Sequence, residues 1–171
     1  MPKVYVDGCA YRRDTDHELV AGVGVVWNPT VPEETLKHSL GSQTNQYAEI
    51  AAALVAVQSA VQKGIRELVI CTDSDYVRQN FVSHLPNWKQ NNMLNSKGKP
   101  VHHGSLILAL DRLVWDHDMT IYWKKVKGHA KVDSPDKIGN DLADQLAKEG
   151  ALTGEPWRFS EPETLAVHAV T

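Results

Sequence analysis

Three features of the chain predict an α/β fold of mixed α+β type, a five-stranded mixed sheet with helices on both faces. The N-terminal part holds three β-type segments separated only by polar or Gly/Pro stretches, as in a hairpin meander. An Ala-rich segment with apolar residues at helical spacing follows them, and beyond it extended and helical patterns alternate.

Lys3 to Tyr11, Val20 to Trp27 and the weaker Thr35 to Leu40 are rich in β-branched and aromatic residues and read as the three hairpin strands. From Gln46 to Gln62 the pattern QYAEIAAALVAVQSAVQ is strongly helix-forming, and Lys63-Gly64 is its stop signal. Glu67 to Thr72 (ELVICT) is nearly all apolar, as a strand covered on both faces should be. A helix starts near Ser74 or Asp75. Between Pro86 and Pro100 the stretch is polar, basic and aperiodic, which predicts a loop or short helix projecting from the body. A helix over about Ser105 to Asp116, a fifth strand over Thr120 to Val126 and a last helix complete the order. That last helix has the start chemistry of Ser134-Pro135 and ends at Gly150. Residues 1–152 are expected to form one domain, and 153–171, with Pro156 and Pro162, a flexible tail or polyprotein linker.

A chain of 171 residues, 42% of them hydrophobic, suits one domain with a real core. Cys9 and Cys71 show no metal or redox spacing and are expected as buried, reduced thiols. No apolar run approaches the ~20 residues that span a bilayer, and no basic-then-apolar leader opens the chain. The expectation is a soluble intracellular protein, or a trimmed part of one, with no membrane contact. A net charge of −3 argues at face value against a polyanionic partner. The average conceals a segment, residues 76–131, with nine Lys or Arg against three acids, +6 within a remainder of −9.

Four carboxylates stand where ionised groups are least expected. Asp7 interrupts an apolar strand, Asp73 ends the ELVICT run, Glu49 lies in the Ala-rich helix and Asp144 in the last helix. No Lys or Arg adjoins Asp7, Glu49 or Asp73 in sequence, so a metal cation is the natural compensating charge. An all-oxygen set suits Mg²⁺ or Mn²⁺, whereas zinc would call for Cys or spaced His. Singly each has a plainer reading, a turn residue for Asp73 or a solvated helix acid for Asp144, and His129 alone reads as a loop histidine.

In order along the chain, Asp7-Gly8, Thr44-Asn45-Gln46-x-Ala48-Glu49, Thr72-Asp73-Ser74, Lys127-Gly128-His129 and Gly139-Asn140-x-x-Ala143-Asp144-x-Leu146-Ala147 resemble the signature of ribonuclease H. The resemblance spans about residues 3 to 151. The long His129-to-Asp144 spacing and the stretch from Leu85 to Pro100 are most similar to foamy-virus-type and gammaretroviral domains, with their basic protrusion. The resemblance implies a ribonuclease-H-like fold and an enzyme that cuts the RNA strand of RNA·DNA hybrids, leaving a 5′-phosphate and a 3′-hydroxyl. It implies two Mg²⁺ per site, with Mn²⁺ able to substitute. Asp7 would bridge them, Asp144 would complete the water-activating site, and Glu49 with Asp73 would complete the other. Two such ions activate water and stabilise the leaving oxygen, which is the chemistry phosphodiester hydrolysis needs. His129 would assist proton transfer or product departure.

The resemblance also assigns the substrate contacts. Gly8, Asn45 and Gln46 would meet the 2′-hydroxyls of the RNA strand, and Thr44 with Ser42 a DNA-strand phosphate. Trp88, Lys89, Lys97 and Lys99 would grip the DNA strand. Two positions depart from the pattern: His84 replaces a protrusion aromatic and His103 a phosphate-pocket Asn. The expected setting is reverse transcription, with the domain covalently linked to a polymerase domain, monomeric when isolated, and located in the cytoplasm or in a virion. A catalytically silent tether from a retroelement is the rival reading, but it predicts a lost carboxylate and all four are present. An integrase-type relative would lack the Thr-Asn-Gln element and the protrusion.

Overall fold

In the computed structural model, which describes residues 1–159, β1 (Lys3–Arg12) is the strand around which the sheet is built. It pairs antiparallel with β2 (Leu19–Val26), which pairs antiparallel with β3 (Thr35–Gly41), and on its other side it runs parallel to β4 (Glu67–Thr72). β5 (Thr120–Lys125) lies parallel to β4 at the edge. Parallel pairs need crossovers, and helices provide them: α1 (Asn45–Lys63) before β4, and α2 (Asp75–Gln79), α3 (Leu85–Gln90) and α4 (Gly104–Asp116) before β5. α5 (Pro135–Thr153) ends the fold.

The period-2 alternation of β1 sorts the core into two layers. Val4 and Val6 join Leu68 and Ile70 of β4 beneath α1 and α4 in the larger cluster. Tyr5 and Cys71 face the other way and pack with Ala143 of α5. Asp7 and Asp73 continue that second register, so they emerge on the side of the sheet that α5 covers.

Three boundaries differ from the sequence expectation. The sheet has six strands rather than five, because β6 (Glu155–Pro156) adds parallel to β3 with His38 opposite Glu155. A two-residue strand containing proline carries no alternation to read, and its place at an edge is where proline is tolerated. The expected tail is therefore ordered at its start: Trp157 N–H donates to Ser39 O at 2.9 Å, Trp157 and Phe159 pack on the larger core, and residues 160–171 lie outside the described residues. α5 continues past Gly150 to Thr153, since Gly150 is held against the His38 carbonyl, 2.9 Å from where a Cβ would stand. Finally, the helix begun at Asp75 does not stop before Pro86. A π-turn over Asn80–His84 joins α2 to α3, with Leu85 N–H donating to Asn80 O. Pro86 has no N–H to donate, and widening the ladder one turn earlier lets the helix continue through it.

Candidate active site

Four elements bring the four carboxylates together. Asp7 projects from β1, Asp73 follows β4, Glu49 rides on the first turns of α1 and Asp144 on α5. Asp7 is only 9% exposed. Burial first, then the charge of Asp73, a hydrogen bond and charge from Asp144, and the charge of Glu49, push its carboxyl up to about 9. Burial also raises Glu49 above the ordinary carboxylate range, opposed by the bonds it accepts: Ser74 Oγ donates to Oε2 at 2.8 Å and Asn45 Nδ2 to Oε1 at 3.0 Å.

Two lysines also stand at this cluster, one of them brought there only by the fold. Lys125 Nζ donates to the Asp73 carbonyl at 2.8 Å and pairs with Asp75 at 3.1 Å. Lys148 pairs with Asp144 at 3.1 Å, an i,i+4 spacing that was legible on the helix. Neither forms an ion pair with Asp7, although the charge of Asp7 is the least of the causes that raise Lys148. Asn140, 2% exposed, donates to Asp73 Oδ2 at 3.4 Å while its own Oδ1 is buried without a partner. Ser74, Asn140, Lys125 and Lys148 are thus the site residues beyond the expected set. Ser74 and Asn140 belong to the motif runs already quoted.

The donor set fits a hard cation. Its ligand atoms are carboxylate oxygens, it concentrates negative charge in a buried place, and the nearby Cys9 thiol is held protonated, at about 11, by burial and by Asp7. As the side chains stand, no three of them among the described residues close on a single ion-sized point.

The remaining predicted residues divide. His129 is exposed on the loop between β5 and α5 at φ +53, and neighbouring Gly128 passes so near Asp73 that a Cβ there would lie 3.0 Å from Oδ2. The loop therefore runs beside the carboxylates. Asn45 binds in both directions, accepting from Ala10 N–H at 3.2 Å and donating to Glu49, so it ties β1 to the helix and orients the glutamate. Gln46 is exposed beside it. Thr44 caps α1, accepting from Tyr47 N–H at 3.1 Å, and its hydroxyl stands 3.4 Å from His103 Nε2. Burial and the neighbouring His102 lower the pKa of His103. Ser42 is exposed on the same loop. His84 lies against Trp88, ring centroids 5.3 Å apart, so an aromatic partner is kept at that departure. Lys97 and Lys99 are exposed.

Two expectations are corrected by packing. Gly8 is buried under α1, where a Cβ would sit 2.1 Å from the Ala48 carbonyl, so its missing side chain serves helix-on-sheet contact rather than an open surface. Gly8→Ala is expected to destabilise the fold by about 1–3 kcal/mol, a Tm loss of roughly 4–10 °C in a thermal melt. Lys89 is not presented to solvent either: its side chain is 6% exposed and its Nζ lies 2.9 Å from Asp111 Oδ2 on α4, itself 10% exposed.

The sequence profile of the RNase H family matches residues 2–152. The chain belongs to the RNase H family. Members of this family generally depend on divalent metal ions. Human ribonuclease H1 is 38% identical over 152 residues, covering 89% of this chain and 50% of that protein, so the chain spans about half the length of the curated relatives it matches. The solution structure of the RNase H domain of PFV, prototype foamy virus, is 32% identical with a TM-score of 0.72, covering 88% of this chain and 93% of that one. The foamy viral protease-reverse transcriptase in complex with RNA/DNA hybrid is 30% identical with a TM-score of 0.67, covering 88% of this chain and 20% of that one. Both the viral resemblance and the mixed α/β RNase H-like fold expected from the sequence are present.

Proposed function

We propose that the chain is an endonuclease that hydrolyses the RNA strand of RNA·DNA hybrids, using two Mg²⁺ ions that Mn²⁺ can replace. In this reading it is one domain of a reverse-transcription polyprotein, linked to a polymerase domain and acting in the cytoplasm or virion. The observation that carries the chemistry is the carboxylate cluster around Asp7, whose crowding of like charge makes a cation-dependent site the economical explanation of four buried or half-buried acids. The viral setting is supported by likeness to the foamy viral protease-reverse transcriptase.

Asp7 with Asp144, and Asp7 with Glu49 and Asp73, would hold the ions. Bound there, divalent cations lower the pKa of water and stabilise charge on the leaving oxygen. Ser74 and Asn45 fix both oxygens of Glu49, and Asn140 fixes Asp73, so the ligands are oriented before substrate arrives. His129, exposed on its loop, would carry a proton between the cleaved strand and solvent. Gln46 reads a 2′-hydroxyl with its free amide, and Asn45 contributes what its two internal bonds leave. Thr44, Ser42 and His103 receive a DNA-strand phosphate, and Trp88, Lys97 and Lys99 hold that strand further along. Products carry a 5′-phosphate and a 3′-hydroxyl.

The test is a hybrid labelled separately on each strand and incubated with Mg²⁺. The RNA strand should be cut and the DNA strand, and duplex DNA, left whole. No cleavage, or equal cleavage of both strands, would overturn the reading. For the exposed protrusion charges, Lys97→Ala with Lys99→Ala is expected to lower the slope of log affinity against log salt by about one per lysine, read from a salt titration of hybrid binding.

A further inference from the structure

Residues Glu155–Phe159 lie beyond the stretch that the family profile matches, yet they are folded onto the body. β6 extends the sheet at β3, Trp157 Nε1–H donates to Gln58 Oε1 at 3.3 Å, and the chain then runs toward the loop that enters α1. Between this segment and that loop is an open cavity of about 490 Å³, bordered by Gly41, Gln43, Tyr47, Trp157, Arg158 and Phe159.

Its composition is unlike a void left by imperfect packing. Three aromatic side chains border it, and among the described residues no carboxylate does and the exposed Arg158 enters no ion pair. Its volume falls within the roughly 300–1,000 Å³ of small-ligand sites. Half-buried aromatic side chains beside a cation with no ion-pair partner among the described residues are the chemistry that receives a base and its phosphate. The location adds direction, because Gln43 lies between Ser42 and Thr44, the two residues placed above against a DNA-strand phosphate.

We infer that this cavity binds one unpaired nucleotide of the DNA strand where that strand continues past the hybrid, its base against the aromatic side chains and its phosphate on Arg158. An unpaired nucleotide is required because in a duplex both faces of the base are already covered by its neighbours. The inference rests on the hybrid reading for the strand it names. It goes beyond that reading in making the enzyme favour hybrids that end in a single-stranded DNA extension, the form a hybrid takes at a junction with unpaired template or product.

The experiment compares KM and kcat of the full chain on a blunt hybrid and on the same hybrid with a short DNA extension at one end or the other. One of the two extensions should lower KM about fivefold or more, the gain expected for stacking one base, with kcat unchanged. Arg158→Ala with Phe159→Leu, which removes the ring but keeps an apolar side chain against the core, should abolish that gain while leaving the blunt hybrid cut as before and the melting temperature near wild type. No gain from either extension, or a gain that survives in the double variant, would overturn the inference. Should the blunt hybrid itself go uncut, it is the nuclease reading that fails. Photocrosslinking of oligothymidylate alone then decides the cavity: crosslinks at residues 157–159, lost in the double variant, support it and their absence overturns it.

Discussion

Asp7→Asn should reduce cleavage of the hybrid at least about 10³-fold, as expected when a shared cation ligand worth several kcal/mol of transition-state stabilisation is lost. The same substitution should make the metal-free protein more stable at neutral pH. Asp7 carries its proton in the folded state up to about pH 9, whereas in the unfolded chain it releases it near pH 4. Between those values the folded state binds a proton that the unfolded state lacks, so raising the pH favours unfolding across that window. Asparagine keeps the shape, removes the charge and should flatten the decline. Melting temperatures from pH 4 to pH 9 without divalent ions, for wild type and variant, measure this. A wild-type profile with no decline would mean that Asp7 is not crowded as described. Undiminished cleavage by Asp7→Asn would remove it from the active site. Adding Mg²⁺ should raise the melting temperature of wild type more than that of the variant, because only wild type presents the full set of ligands.

The four carboxylates were legible because each broke a local rule: a charge in an apolar strand, at the end of a buried run, or on a helix face that meets the sheet. α1 and the five longer strands were legible for the opposite reason, since their periodicity and stop signals agree with their tertiary roles. What escaped depends on pairing across the fold. Counting charge along residues 76–131 gives a basic segment, but it cannot show that Lys89 meets Asp111, Lys124 meets Asp136 and Lys125 meets Asp75. Each of those pairs joins residues from different elements, and because Asp136 and Asp75 lie outside the segment, the excess open to a polyanion is smaller than the count, whereas Lys89 and Asp111 were both already in it. Gly8 escaped in the same way, because a glycine beside a catalytic aspartate reads equally as substrate access or as packing, and only the position of the Ala48 carbonyl separates them.

Lys89→Ala provides the second large effect, and on stability rather than on grip. Burying two charges carries a desolvation penalty that their attraction only roughly offsets, so the intact pair adds little net stability, but removing one partner leaves the other buried and alone. The expected loss is about 3–5 kcal/mol, or on the order of 6–20 °C in melting temperature. Asp111→Ala should cost a similar amount. Lys89→Met with Asp111→Leu, which exchanges the pair for apolar groups of similar size, should recover most of it. Lys89 also lies over the Trp115 ring at 5.1 Å, and part of the alanine cost is that contact, which Met retains in weaker form. The slope of hybrid affinity against salt separates this role from the one expected of the protrusion. Lys89 holds α3 to α4 from inside and neutralises no phosphate, so the double replacement should leave the slope unchanged, whereas Lys97→Ala with Lys99→Ala lowers it. A slope that falls in Lys89→Met with Asp111→Leu, with stability intact, would return Lys89 to the DNA-binding surface.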